Sequence, residues 1–358
     1  MSASAARGYG ASVSTDAHPA DLASEPVGRV TISDVARAAG VSVATVSKVV
    51  NGRHGVAAAT AERVLEVVSR LGYETSLVAS SLRRRKTNVI GILVAEFEPF
   101  STELLKGISG AVGGTGYELL AYSGGVTDSN RVGWERRSLS RLAGTLIDGA
   151  VIVTPTVLFP TTSIPVVAID PHTGPAGPST IDSDNVGGAR AATRHLVELG
   201  HRRIAHVRGR NDLESARLRE QGYRESLAEA GIGLEPALVR DGGYRAADTT
   251  EPARELLSRH DRPTAVFAAN DLSALRVIEV AHELGLRVPQ DLSVVGFDDI
   301  PEASSGTRRL TTVAQPLRQM GARAAQMLLA MLDGAGTEEH VHMPARLIVR
   351  ETTAPPPA

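Results

Sequence analysis

The chain of 358 residues contains no cysteine, one tryptophan and only 3% aromatic residues. Without cysteine it can form neither disulfides nor thiolate metal sites, and it has no thiol nucleophile. No apolar run approaches the ~20 residues that a membrane-spanning helix needs. The Ala-, Ser- and Gly-rich residues 1–28 lack the basic start and apolar stretch of a secretory signal, and they predict a disordered tail. These absences predict a cytoplasmic protein with no membrane partner.

The small net charge of −2 conceals an uneven distribution of charged residues. Residues 29–86 carry ten cations and four anions, which gives this segment a net charge of +6. Residues 1–28 carry −2, and the remainder of the chain carries −6. A basic segment attached to an acidic body has one surface suited to phosphates and another that repels them. This distribution indicates that residues 29–86 contact a nucleic acid backbone.

Residues 31–51 have the pattern of two short helices joined by a turn. Thr31 and Asp34 predict a capping box at the start of the first helix. Gly40 suits a left-handed helix end, and Ser42 can cap the second helix. Inward-facing valines in the second helix leave a small, polar outward face: Val43, Ala44, Thr45, Ser47 and Lys48. Such a face fits the DNA major groove, so the pattern predicts a helix-turn-helix rather than a helical hairpin inside a larger core.

A third helix is predicted from Val56 to Tyr73 and would cover the first two. Its expected apolar stripe consists of Val64, Leu65, Val67, Val68 and Leu71. Ala57 at its start has no side-chain oxygen to cap the helix, which costs about 1 kcal/mol of helix stability. Thr60 lies near the same end. The three helices together predict a DNA-binding domain over residues 29–74, followed by a linker over 75–87.

Beyond the linker, apolar runs alternate with helical patterns. The strand-like runs are 89–95, 117–123, 149–155, 165–170, 203–209, 264–270 and 292–298. The helical segments are 102–115, 131–144, 185–199, 213–230, 248–259 and 271–285. This alternation predicts an α/β fold of doubly wound parallel sheets with helices on both faces, and the number of strands indicates two lobes. Residues 352–358 form a tail without the heptads of a coiled coil.

The chain also contains six motifs in a fixed order: DVARAAGVSVATVSKVVNG, RVLEVVSRLGY, IGILV, DSDNVGGARAATRHLVELGHRRIA, AANDLSAL and DLSVVGFDD. From about Val30 to about Glu351 the chain therefore resembles the lactose-repressor (LacI/GalR) family of bacterial transcription regulators. The resemblance implies a two-lobed, periplasmic-binding-protein-like core over residues 88–351, with three crossings between the lobes. The N-lobe would take 88–184 and 317–342, and the C-lobe 185–316 and 343–351.

The same resemblance implies a homodimer that binds a near-palindromic double-stranded operator. Residues 76–83 match the family's hinge helix, and Leu82 matches the leucine that wedges into the minor groove. The alternative is a flexible linker with an incidental leucine. Thr75 stands where relatives often have proline, so this linker is less preorganised. The expected DNA-contacting residues are Thr31, Ser42, Val43, Ala44, Thr45, Ser47, Lys48, Asn51, Thr60, Ala79, Leu82 and Arg83.

An effector is expected between the lobes, at the carboxyl ends of the strands. Arg219 matches the family's cleft arginine, and Asp298 ends the last predicted strand. An arginine facing an aspartate can bind the vicinal hydroxyls of a sugar; alternatively, Asp298 or Asp299 caps the next turn and Arg219 pairs with it. Asn270 and Phe100 complete the expected effector-binding set, whereas the single tryptophan, Trp134, is assigned a packing role over stacking at the cleft edge.

These observations predict a nucleoid-associated repressor controlled by a sugar. One alternative keeps the regulator but makes its effector a purine or phosphorylated metabolite that acts as a corepressor. Another is a sugar-binding protein without a DNA role, which the basic segment disfavours. The GGTG at 113–116 is not a dinucleotide motif, and neither G-x-S-x-G nor H-E-x-x-H is present. His195, His201 and His206 lack metal-ligand spacing on one helix, so we expect no catalytic residue, cofactor or metal site.

Overall fold

A computed structural model describes residues 30–50, 53–73, 86–124, 132–158, 162–306, 309–336 and 340–357. They belong to two compact units that divide after Ser76. We call residues 30–73 the headpiece and residues 86–357 the core. Among the described residues, no helix is long and apolar enough to cross a membrane. The fold class expected from the sequence, a helical headpiece with a two-sheet α/β core, is confirmed.

The headpiece consists of three helices, α1 (Ile32–Ala39), α2 (Val43–Val50) and α3 (Ala58–Leu71). At the start of α1, the Asp34 carboxylate accepts hydrogen bonds from the backbone nitrogen and hydroxyl of Thr31, at 3.0 and 2.6 Å. Gly40 ends this helix in the left-handed region, with φ of 64°. Ser42 Oγ accepts from the backbone nitrogen of Thr45 at 3.1 Å. The predicted capping residues therefore fix the turn between the two helices.

Helix α3 covers the first two helices with Val64 and Val67, which are buried in one cluster with residues of α1 and α2. Ala57 precedes it without a side-chain capping bond, as predicted. Leu65, however, was wrongly placed on the buried stripe, because its side chain is 52% exposed. Each residue advances about 100° around a helix, so the neighbour of a buried valine lies outside a narrow apolar face.

The N-lobe of the core contains a parallel sheet in the order β2-β1-β3-β4-β5-β11. Its strands are β1 (Val89–Val94), β2 (Glu118–Ser123), β3 (Gly149–Val153), β4 (Val166–Ile169), β5 (Ser179–Ser183) and β11 (His340–Met343). Its helices are α4 (Pro99–Val112), α5 (Trp134–Leu142) and α11 (Leu317–Leu332). Every residue of β1 and β3 is buried, which explains their continuous apolar runs.

Two glycines let α4 and α11 approach closely. A Cβ atom on Gly107 would lie 2.0 Å from the carbonyl oxygen of Arg318, and one on Gly321 would lie 2.1 Å from that of Leu104. Because both obstacles are backbone atoms, neither position has space for a side chain. This contact holds α11, which comes late in the chain, against the first helix of the N-lobe.

The C-lobe sheet has the order β7-β6-β8-β9-β10-β12, with only the β10–β12 pair antiparallel among its described pairs. Its strands are β6 (Ile204–Arg208), β7 (Val239–Asp241), β8 (Ala265–Ala268), β9 (Ser293–Asp298), β10 (Thr311–Ala314) and β12 (Arg346–Ile348). Its helices are α6 (Asn185–Glu198), α7 (Glu214–Glu229), α8 (Ala246–Leu257), α9 (Asp271–Glu283) and α10 (Pro301–Ser304), with a 3₁₀ turn at Pro236–Leu238.

The chain passes between the two sheets after β5, after β10 and after β11. The residues expected as a C-terminal tail are attached to the C-lobe. Thr352 is fully buried, donates to the Val294 carbonyl at 2.7 Å and accepts from the Thr311 backbone nitrogen at 2.9 Å. This segment therefore contributes to the edge of the lobe instead of extending freely from it.

Candidate functional site

The headpiece presents the outward face of α2 to solvent. Val43 is 44% exposed, Ala44 and Lys48 are exposed, and Thr45 and Ser47 are half-buried. The Thr45 hydroxyl is hydrogen-bonded to the hydroxyl of Ser42 at 2.9 Å, which fixes it at the start of the helix. Small side chains leave this helix slim enough to enter a major groove.

The other expected DNA contacts are divided between described and undescribed residues. Thr31 is exposed at the start of α1, and Thr60 is half-buried in the first turn of α3. Asn51, Ala79, Leu82 and Arg83 lie outside the described residues. The described part of the expected interface is therefore the outward side of α2 with the starts of the two helices beside it.

In the core, a cavity of about 120 Å³ lies between the carboxyl ends of the two sheets. The N-lobe contributes Glu96, Glu98, Phe100, Trp134, Thr154 and Asp170 to its lining. The C-lobe contributes Ser215, Arg219, Tyr244, Arg245, Asn270 and Asp298. All four effector-binding candidates, Phe100, Arg219, Asn270 and Asp298, are thus brought together in one cleft, where ligands of parallel α/β sheets bind.

Arg219 lies at the centre of the C-lobe side and is only 2% exposed. Its Nε donates to the Asn185 side-chain oxygen at 2.8 Å, and its Nη1 donates to the Ala269 carbonyl at 2.5 Å and to Asp298 Oδ1 at 3.4 Å. The guanidinium also stacks on the Phe297 ring, 3.8 Å from the ring centre. These contacts fix the plane of the guanidinium and engage Nε and Nη1. Nη2 is therefore the nitrogen that would contact a ligand.

Asp298 is buried beside Arg219 and also accepts from Gln315 Nε2 at 2.7 Å. Burial raises its pKa to about 6, although the charge of Arg219 opposes that shift. Asp299 is paired instead with Arg350 at 2.6 Å. The alternative interpretation of the sequence holds only in part: Asp298 pairs with Arg219 while lining the cleft, but the next helix, Pro301–Ser304, begins without a side-chain capping bond.

Asn270 has a structural task at the edge of the cleft. Its Oδ1 accepts from the Ser273 backbone nitrogen at 3.0 Å and thereby caps α9. Its Nδ2 donates to the Tyr244 carbonyl at 3.0 Å. Because both ends of the amide are engaged, its main effect on a ligand would be to position Tyr244.

The aromatic side chains of the cleft come mainly from the N-lobe. Phe100 is half-buried at the start of α4 and packs on the N-lobe core. Trp134 is 2% exposed and packs in a second cluster of the same lobe, as expected, but it also lines the cleft. Its indole nitrogen is buried and has no hydrogen-bond partner among the described residues. This N–H is a donor that a ligand oxygen could satisfy.

Four non-glycine residues that line the cleft have positive φ: Thr154 at 49°, Asp170 at 48°, Tyr244 at 66° and Asp298 at 118°. Residues other than glycine rarely adopt this backbone conformation, which costs on the order of 1–3 kcal/mol per residue. Backbone strain of this kind concentrates where side chains must be aimed at a ligand. Its position in the cleft supports the assignment of a binding site.

Sequence reasoning missed the N-lobe carboxyl groups of the cleft, among them Asp170 and Glu98. Asp170 ends a predicted strand, and burial raises its pKa to about 6 against the opposing charge of Arg219. Burial, together with the charge of Asp298, raises the pKa of Glu98 to about 7. The position of Asp170 at a strand end could have revealed it, whereas Glu98 lies in a loop with no comparable pattern.

The C-lobe side also contains residues that were not predicted. Tyr244 and Arg245 follow the three-residue strand β7, which sequence periodicity does not detect. The Tyr244 hydroxyl is hydrogen-bonded to Ser215 at 3.3 Å. Arg245 forms an ion pair with Glu96 of the N-lobe, and the two side chains are 39% and 46% exposed. This pair joins the lobes across the cleft.

Comparison with known proteins gives two family matches. Residues 31–76 match "Bacterial regulatory proteins, lacI family", and residues 193–353 match "Periplasmic binding protein-like domain". The chain is 34% identical over 333 residues to the HTH-type transcriptional repressor PurR of Photobacterium profundum, covering 90% of this chain and 98% of that protein.

Two solved structures show the same architecture. One is a transcriptional regulator CelR-cellobiose complex, with 33% identity, a TM-score of 0.66 and coverage of 90% of this chain and 100% of that one. The other is a lac repressor dimer bound to operator and the anti-inducer ONPF, with 29% identity, a TM-score of 0.75 and coverage of 91% and 99%. The chain belongs to the lacI family of bacterial regulatory proteins, and it is a DNA-binding transcriptional regulator rather than an enzyme.

Proposed function

We propose that this protein is a homodimeric repressor that binds a near-palindromic operator and is controlled by a neutral sugar bound in the cleft. The observation that carries the choice of a neutral effector is the pairing of the cleft arginines. Arg219 pairs with Asp298, Arg245 with Glu96, and Arg210 with Asp212. A phosphorylated effector would therefore bring its charge beside a carboxylate that already pairs with each of these arginines.

The remaining polar groups of the cleft suit hydroxyls. Asp170 and Glu98 add carboxyl groups whose raised pKa values leave them partly protonated near neutral pH, so each can donate or accept a hydrogen bond. The unsatisfied indole N–H of Trp134 adds a donor on an apolar wall. Apolar surface with a few convergent polar groups is the usual composition of a small-molecule site. The similarity to a CelR-cellobiose complex is consistent with a saccharide.

The proposed DNA function rests on the headpiece. Its outward α2 face supplies Lys48 and Thr45 for polar contacts, while Val43 and Ala44 can pack against a thymine methyl. Leu82 would wedge into the minor groove from the segment that follows. Removing residues 1–86 should therefore abolish the retardation of operator DNA in a gel-shift assay and leave effector binding intact. Sequence-specific DNA binding by the truncated core would contradict this assignment.

The identity of the effector is tested by calorimetry and thermal-shift measurements with neutral mono- and disaccharides, nucleobases and sugar phosphates. For the ligand that binds, Arg219→Ala and Asp298→Asn should each weaken binding ten- to a hundred-fold, since a charged hydrogen bond is worth about 1.5–3 kcal/mol. Arg217→Ala is the matched control, because Arg217 lies on the same helix, is 52% exposed and pairs with Glu214.

Operator affinity of the ligand-free variants should stay near that of the wild type. Binding of a nucleobase or a sugar phosphate in preference to every neutral sugar would overturn the sugar assignment. Unchanged effector affinity in both folded variants would place the binding site outside this cleft.

A further inference from the structure

We propose that Asp182, His340 and His342 form a binding site for a borderline transition-metal ion, Zn²⁺ foremost, at the edge of the N-lobe sheet. The two histidines are alternate residues of the edge strand β11, so their side chains lie on the same face. Asp182 lies directly opposite His342 in the parallel pairing with β5. None of the three residues lines the effector cleft.

The ligand atoms are already close together. One nitrogen of each histidine and one carboxylate oxygen lie within 4.8 Å of one another. His342 Nδ1 is 2.6 Å from Asp182 Oδ1, and His340 Nε2 is 3.6 Å from Asp182 Oδ2. Tetrahedral metal–ligand bonds of about 2.0–2.2 Å place neighbouring ligand atoms about 3.4 Å apart. His342 Nδ1 and Asp182 Oδ1 would therefore move slightly apart, while the spacing of His340 Nε2 and Asp182 Oδ2 already fits. The change needs only side-chain rotation, because His340 and His342 are 34% and 54% exposed.

Thr180 provides an outer contact of the kind found around metal-bound histidines. Its hydroxyl is hydrogen-bonded to His340 Nδ1 at 2.6 Å, so the ring is held through the nitrogen that faces away from Asp182. Metal-bound histidines usually donate their second ring N–H to such a partner, which fixes the tautomer and the ring orientation. With Nδ1 acting as the donor, the lone pair of Nε2 is left for a metal ion.

The donor set defines the class of ion. Two imidazoles and one carboxylate suit Zn²⁺ and its first-row neighbours, while Mg²⁺ and Ca²⁺ prefer oxygen ligands alone. Three protein ligands leave one tetrahedral position for water, and the exposed histidines leave it accessible. The alternative is a surface Asp–His hydrogen-bonded pair without a metal, and only the binding of an ion distinguishes the two.

A bound ion would stabilise the pairing of β11 with β5 at the edge of the N-lobe sheet. Among the described strands, β11 pairs only with β5. Met343 is separated by two residues from the start of β12 in the C-lobe. A metal shared by β11 and β5 would add a cross-link beside this crossing. The sequence did not reveal the site, because His342 and Asp182 are 160 residues apart and only the sheet register brings them together.

The test uses the full-length chain without a polyhistidine tag, treated with chelator and dialysed. Zn²⁺ affinity is measured by competition with a chromophoric chelator, and Co²⁺ is added separately for its visible absorption spectrum. We expect one ion per chain and a Co²⁺ spectrum of tetrahedral type. His340→Ala, His342→Ala and Asp182→Asn should each weaken Zn²⁺ binding at least about tenfold.

His260→Ala is the matched control, because His260 is exposed and lies outside the cluster, so its affinity should equal that of the wild type. Circular dichroism confirms that each variant is folded, and His342→Ala, at an exposed edge position, is the variant least able to disturb the fold. The proposal is overturned if the wild type shows no saturable Zn²⁺ binding. It is also overturned if the double variant His340→Ala/His342→Ala binds as tightly as the wild type.

Discussion

Glu98 should make the stability of the core depend on pH, and Glu98→Gln should remove that dependence. Burial and the nearby charge of Asp298 raise its pKa from 4.5 to about 7. Between these values the folded protein binds more protons at this position than the unfolded chain does. The free energy of unfolding must therefore fall as the pH rises from about 4.5 to 7.

The size of the effect follows from the shift. Each pKa unit corresponds to about 1.4 kcal/mol, so the full shift sets an upper bound of about 3.5 kcal/mol above pH 7. Because the Glu98 side chain is partly exposed, we expect about 1–3 kcal/mol. Glutamine has nearly the shape of the protonated acid and no charge. Glu98→Gln should thus match the wild type near pH 4, below the pKa of the unfolded chain, and exceed its stability by this amount at pH 8.

Urea unfolding at several pH values, followed by circular dichroism, measures this difference. Asp170 and Asp298 also have raised pKa values, of about 6, so the variant should retain part of the slope below that pH. Glu302→Gln is the control, since Glu302 is exposed on α10 in the same core. Parallel curves for Glu98→Gln and the wild type from pH 5 to 8 would refute the reasoning.

Three further changes test the cleft and the DNA contacts. Gly124→Ala would place a Cβ atom 2.6 Å from Trp134 Cε3, so it should shift the fluorescence of the only tryptophan and lower the free energy of unfolding by about 1–3 kcal/mol. Gly110→Ala, with nothing within 4 Å, should do neither. Arg245→Ala removes an exposed ion pair worth about 0.2–1 kcal/mol, so effector affinity measured by calorimetry should change less than about fivefold; a loss as large as that of Arg219→Ala would contradict this. Leu82→Ala, at a position outside the described residues, should reduce DNA bending in a circular-permutation assay and keep salt-dependent non-specific binding; an unchanged bending angle would exclude the wedge.

Local patterns in the sequence predict the headpiece and the central strands well. Capping by Thr31 and Ser42, and the left-handed Gly40, depend on neighbours within a few residues, so the sequence contains the whole cause. The buried runs of β1 and β3 have continuous apolar residues for the same reason. Strands β7 and β12, of three residues each, are too short to show a period, and their pairing partners determine them.

The cleft was predicted only where a residue matches a family motif or where a polar residue ends a recognisable strand. Arg219 and Asp298 met those conditions, whereas Glu98 and Tyr244 follow irregular segments and become part of the site only through folding. Contacts between residues that are far apart in the sequence could not be predicted from local patterns. The Gly107–Arg318 approach of α4 and α11 is one case, and the pairing of Asp182 with His342 is another.

The cleft concentrates features that cost stability in the free protein. Asp298 is a buried carboxyl group and Asp170 a half-buried one, both on strained backbone, and the indole N–H of Trp134 has no partner among the described residues. One buried cation, Arg219, offsets part of the carboxylate charge but cannot satisfy the indole. A hydroxyl-bearing ligand could accept from the indole and bond both carboxyls at once, and would relieve these costs in the bound state. Binding free energy would then depend on how closely the two lobes approach, because Trp134 and Asp170 belong to one lobe and Asp298 to the other. An effector that contacts both sides is therefore bound most tightly by the closed arrangement, which gives it a means of shifting the conformation of the core.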